Sequence, residues 1–258
     1  MTRICIIGNS HVAALKLAYD NQDSAREFSF YAVPGAGAPN LQVVKQKLFP
    51  IYGPDDGVTY PANLNEGEWV RSNIKDAEIC GVSLQDYDVI FYVGAGLPAL
   101  RTTLKNSHHH MNVNNNHISS SSTMVSESCY KAILRSELDI TGNIKTLKRI
   151  LENFNGRIFI SLAPVPSRSV LEQSDFPKTL AKPEEFLSWC YELQKDYIEE
   201  KFINNDNVQW LYNDCLFSPR WTFTDKKYAT LKDAWHMNER YGAEILSRIN
   251  SKLQKLQG

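Results

Sequence analysis

The sequence predicts an α/β fold, a parallel sheet covered by helices on both faces. Three observations predict it. Five apolar runs recur along the chain: Arg3–Gly8, Phe28–Val33, Val89–Val93, Arg157–Leu162 and Val208–Tyr212. Each is short and nearly continuous in its apolar residues, as strands buried on both faces are. Helical patterns lie between the runs, and strands alternating with helices are joined by crossovers that leave them parallel.

The first run, Ile4-Cys5-Ile6-Ile7, stops at Gly8, where the missing Cβ permits a sharp turn. Val12, Ala13, Ala14, Leu15 and Leu17 then mark a helix over Ser10 to Tyr19. A long pattern from Cys129 to Asn153 carries apolar stripes at Ile133, Leu138, Ile144, Leu147 and Leu151. Its interior Gly142 offers a break into two helices. Glu184 to Phe202 and Glu239 to Leu256 complete the helices, with Asn238 placed to cap the last. Two segments interrupt the rhythm. Pro50 to Leu84, rich in Gly, Pro, Asp and Asn, reads as a loop-rich insertion. Asn106 to Ser122, NSHHHMNVNNNHISSSS, reads as a polar low-complexity surface loop, placed to cover the end of the third strand as a lid. Its His108, His109, His110 and His117 lack the spacing and the partner ligands of a metal site, so no metal or other cofactor is expected.

The chemistry sits at the two ends of the chain. Ser10 follows the first strand and its glycine turn, at the carboxyl edge of the predicted sheet and at a helix N-terminus. Backbone N–H groups and the helix dipole there favour the oxyanion that ester cleavage creates. A serine hydroxyl is a weak nucleophile and needs a base, which in turn needs an orienting group. Asp233-Ala-Trp-His236 supplies both from one short turn, just before the last helix. Ser10 and Asp233 also make good helix caps; their joint placement argues for catalysis. Both ends must then meet in one folded unit, which makes residues 1–258 a single domain with insertions near 50–84 and 106–122.

Gly8-Asn9-Ser10-His11 and Asp233-Ala-Trp-His236-Met-Asn238 resemble the first and last sequence blocks of the SGNH/GDSL hydrolases, a superfamily of esterases, lipases and carbohydrate acyl-group enzymes. The resemblance implies a three-layer α/β/α fold with a flavodoxin-like five-stranded parallel sheet. It also implies a Ser10–His236–Asp233 triad and an acyl-enzyme. The Ser10 N–H and a glycine after the second strand, Gly35 or Gly37, would hold the oxyanion. The third block departs from the family: Gly96 stands where an oxyanion-binding Asn is expected, in Gly94-Ala95-Gly96-Leu97. A backbone N–H at Gly96 or a side chain such as Asn40 would have to substitute. The implied substrate is an acyl ester, small or glycan-borne, cleaved by water or passed to an acceptor alcohol. The alternative of another class is a catalytically inactive domain that binds a glycan or a protein.

Composition excludes several functions. The 28 basic and 29 acidic residues leave a net charge of −1, without the basic excess of a nucleic-acid surface. The odd number of scattered cysteines, 5, argues against a disulfide framework. No apolar stretch reaches the length of a membrane span, and Ile4 to Ile7 is too short for a signal peptide, so a cytoplasmic location is expected. G-x-G-x-x-G, phosphate-loop and G-x-S-x-G motifs are missing. Of the residues near the motifs, His11 is expected to bond structurally and Arg168 to form a surface ion pair. Trp221, Phe223 and Trp235 are expected to pack in the core, with a sugar-stacking wall as the alternative.

Overall fold

The computed structural model describes residues 2–22, 26–32, 41–44, 47–50, 62–63, 82–96, 109–111, 123–172, 183–212, 222–231 and 234–257. The main elements, in chain order, are β1 (Ile4–Gly8), α1 (Val12–Asp20), β2 (Phe28–Ala32), β3 (Leu41–Val44), β4 (Lys47–Pro50), β5 (Ala62–Asn63), β6 (Val82–Ser83), β7 (Val89–Ala95), β8 (His109–Met111), β9 (Thr123–Val125), α2 (Glu127–Ile140), α3 (Gly142–Asn153), β10 (Arg157–Leu162), α4 (Pro183–Ile198), β11 (Val208–Trp210) and α5 (Glu239–Gln257). All five predicted strands form, and they lie parallel in the order β11-β10-β7-β1-β2. Renumbered by their sequence rank, that is the 2-1-3-4-5 order of a flavodoxin-like sheet.

Alternation along the strands builds two cores. Ile4 and Ile6 of β1, Phe28 and Phe30 of β2, and Phe91 and Val93 of β7 pack under α1 and α5. Cys5 and Ile7, Ile90 and Tyr92, and Ile158 and Ile160 face α2, α3 and α4. Helices on both faces explain why the runs are apolar throughout rather than alternating. The long helical pattern does divide at Gly142, and Thr141 between the halves is extended at φ −62°, ψ 133°. Ser126 caps α2 by accepting from the Cys129 N–H at 3.2 Å.

The structure corrects four expectations. A sixth strand, β5, pairs antiparallel with β2 through Tyr31↔Asn63 and Ala32↔Ala62. It comes from the segment read as a loop-rich insertion, where two-residue strands leave no periodicity to detect. β6, from that segment, joins β3 and β4, which precede it in the chain, in a separate antiparallel sheet. Within the polar histidine stretch, His109–Met111 pairs parallel with Thr123–Val125. Strand pairing is made by the backbone, and the side-chain composition there concealed it. The proposed lid otherwise lies outside the described residues. Finally, α1 starts at Val12 and not at Ser10, because Val12 N–H to Asn9 O (3.1 Å) and Ala13 N–H to Ser10 O (3.2 Å) first close a tighter turn.

The buried tyrosines and cysteines predict a pH limit. Burial pushes the phenols of Tyr92, Tyr191 and Tyr241 and the thiols of Cys5 and Cys190 up. A pKa raised in the folded state leaves stability intact below the unfolded value and removes it above, because only the unfolded chain ionises. Thermal unfolding followed between about pH 8 and 11 should therefore show a falling Tm once pH passes the ordinary thiol value of 9.0, and a steeper fall beyond the ordinary phenol value of 10.0. A flat Tm over that range would contradict the burial of these groups.

Candidate active site

In an open parallel sheet, ligands bind outside the carboxyl ends of the strands where the strand order reverses. Here that point lies between β1 and β7. The chain leaves β1 toward β2 on one side, and β7, β10 and β11 extend the sheet on the other. Gly8 pairs with Val93 at this edge, and a Cβ on Gly8 would stand 1.8 Å from the Val93 carbonyl oxygen. Only glycine lets the two backbones approach so closely.

Asn9 holds the turn that follows. Its Nδ2 donates to Gly94 O at 2.9 Å, and its Oδ1 accepts from the His11 N–H at 3.0 Å. Its own N–H reaches Val93 O at 3.2 Å. Asn143, at the start of α3, donates to the same Gly94 carbonyl at 3.1 Å. Gly94 and Gly96 both have positive φ, +92° and +95°, which L side chains rarely adopt. Two glycines thus twist the end of β7 so that one carbonyl receives two buried amides.

Ser10 emerges from this turn partly exposed. His11 behind it is buried, its ring 6.1 Å from the His236 ring and also 6.1 Å from the Tyr241 ring. His236 is exposed on the loop before α5. That loop is tied down at several points. Thr230 N–H donates to His236 O at 3.0 Å, Asn238 N–H to Tyr228 O at 2.8 Å, and Ser167 N–H to Ala234 O at 2.8 Å. Asn238 caps α5 as expected, accepting from the N–H groups of Arg240 at 2.9 Å and Tyr241 at 3.3 Å. The fold therefore brings His236 beside His11, the residue that follows Ser10, although no hydrogen bond joins Ser10 to His236 among the described residues. Asp233, Gly35, Gly37, Asn40, Trp221, His108 and His117 lie outside them.

Gly96 is buried at the end of β7, and a Cβ there would stand 2.4 Å from Gln194 Oε1. Gln194 was not singled out from the sequence. The signal was present: it falls among Leu187, Cys190, Tyr191 and Ile198 on the buried face of α4, a polar residue in an apolar stripe. Phe223 and Trp235 are buried in the core, which excludes them from an open sugar-stacking wall. Arg168 makes the expected surface ion pair, Nη2 to Glu184 Oε1 at 2.8 Å, and lies over the Phe223 ring. No helix among the described residues is long and apolar enough to cross a membrane.

No family model matches the chain, and no curated protein matches it. Among solved structures, the chain is similar to one from Streptococcus pneumonia described as "a putative platelet activating factor", at 13% identity, covering 98% of this chain and 84% of that one with a TM-score of 0.49. A likeness at that level carries no information about a site.

Asn9 gives a direct test of the turn. Asn9→Asp exchanges the donor facing Gly94 O for an acceptor and buries a carboxyl group against a carbonyl. We expect a loss of about 1–3 kcal/mol in urea unfolding, and stability equal to wild type would show that the clamp contributes nothing.

Proposed function

We propose that this protein is a serine-dependent ester hydrolase of the SGNH/GDSL type. The observation that carries the reading is the meeting of the two motifs. Ser10 stands at the strand-order reversal, and His236 lies close to its chain neighbour His11, ring to ring at 6.1 Å. The turn that carries Ser10 is closed by the N–H groups of Val12 and Ala13, which leads us to assign the Ser10 N–H to the oxyanion. The strand order is the one the family resemblance implies, which supports the reading at the level of fold.

In this mechanism the Ser10 Oγ attacks the ester carbonyl carbon while His236 takes the hydroxyl proton. Asp233 orients His236 and stabilises its charged form. The tetrahedral intermediate holds its negative oxygen toward the Ser10 N–H, with Gly35 or Gly37 as a second donor. Its collapse breaks the bond to the alcohol, which leaves with the proton from His236. Water then attacks the acyl-enzyme, giving up a proton to His236, and Ser10 is released with its hydrogen restored. A short acyl group on a glycan is the substrate class proposed. Transfer to an acceptor alcohol in place of water uses the same first half-reaction. Contacts between nucleophile and base are commonly long before substrate binds and tighten in the complex.

Intact-mass analysis after treatment with a fluorophosphonate tests the proposal. One adduct is expected on the wild type and none on Ser10→Ala. His236→Ala should lower kcat on p-nitrophenyl acetate by about a hundred- to ten-thousandfold. A folded wild type that takes no adduct would overturn the hydrolase reading and favour the non-catalytic binding domain.

A further inference from the structure

α4 turns Leu187, Cys190, Tyr191, Gln194 and Ile198 inward, and each is at most 1% exposed. Four of the five are suited to that environment. The Gln194 amide is not, because it carries two donors and a carbonyl acceptor. Buried amides in folded proteins are satisfied by hydrogen bonds, and one left open loses its hydration without return. Among the described residues, neither Nε2 nor Oε1 of Gln194 has a hydrogen-bond partner. Met or Leu would fill the stripe without that cost. A local rule broken with no local gain marks a functional position.

The surroundings of the amide say what it serves. It occupies the space a side chain at position 96 would take, with Oε1 2.4 Å and Cδ 3.4 Å from a Cβ built on Gly96. Half a turn about its last torsion exchanges Oε1 and Nε2 in that space. Gly96 lies two residues beyond Gly94, whose carbonyl is held at 2.9 Å by the Asn9 amide, and Asn9 precedes Ser10. The open amide therefore lies at the carboxyl end of β7, beside the strand whose turn presents Ser10. A second buried amide at this strand end has an open atom too: among the described residues Asn143 Oδ1 has no hydrogen-bond partner, while its Nδ2 donates to Gly94 O at 3.1 Å.

We propose that Gln194 is a catalytic residue that contacts the substrate, its Nε2 donating a hydrogen bond to the carbonyl oxygen of the ester bound at Ser10. The bond strengthens as Ser10 attacks and the oxygen gains negative charge. The proton stays on Nε2 throughout, so the residue stabilises charge and transfers nothing. The inference deepens the serine hydrolase reading and rests on it.

The test compares wild type with Gln194→Met, which keeps the length and removes the polar atoms. Three quantities are measured: Tm, the rate of fluorophosphonate labelling at Ser10, and kcat and KM for p-nitrophenyl acetate. The Met variant should keep its Tm or gain about 2–4 °C, hold KM within about twofold, and lose about a hundredfold in kcat and in labelling rate. Full activity in a folded Met variant would overturn the inference alone. A lower Tm with kcat and KM worsening together would make Gln194 structural and overturn it as well. Gln194→Leu replaces the Met variant if that one does not fold, with the same expectations. A wild type that does not label at Ser10 removes the hydrolase reading itself, and this inference with it.

Discussion

Gly8 has no side chain, and the backbone of β7 fills the space where one would stand. The arrangement of the site follows from that contact. It lets the ends of β1 and β7 close together, and Asn9 then spans the gap to Gly94 while holding the His11 N–H. The turn directs Ser10 out of the sheet and starts α1 in the same few residues. α1 lies against α5 on the outer face, and the loop before α5 carries His236. The position of the histidine therefore depends on a close contact made at the other end of the chain.

The two faces of the sheet are built differently. Under α1 and α5 the buried strand side chains are hydrophobic, among them Ile4, Ile6, Phe30, Phe91 and Phe159, a packing surface that fixes where the two helices lie. Under α2, α3 and α4 the same kind of core ends in buried polar groups around the twisted end of β7: Asn143, Gln194 and the Gly94 carbonyl. The apolar face can supply stability without interference from chemistry. Two of the buried amides with an unsatisfied atom, Asn143 and Gln194, gather at that strand end.

The side-chain cap at Asn238 and the backbone ties from Thr230 and Ser167 hold the His236 loop. His236 can remain exposed on a stationary loop, and Trp235 beside it can be spent on the core.

The sequence by itself determined the five parallel strands, the divided helix at Gly142 and the cap at Asn238, because each rests on interactions local in the chain: apolar runs, a helix-breaking glycine, a side chain bonding its own neighbours. It also indicated the Ser10 and His236 motifs, whose residue types and order carry a recognisable pattern. Only the tertiary structure decided the rest. β5 is two residues long and exists because β2 offers it an edge. The clamp from Asn9 to Gly94 joins residues 85 positions apart. Gln194 reads as one more polar residue on a helix until α4 is laid against the end of β7, when its amide becomes an open group beside Gly96. Local patterns fix which elements form, whereas the site depends on which strand ends meet and which side chains are closed off from water there, and those are properties of contacts between distant parts of the chain.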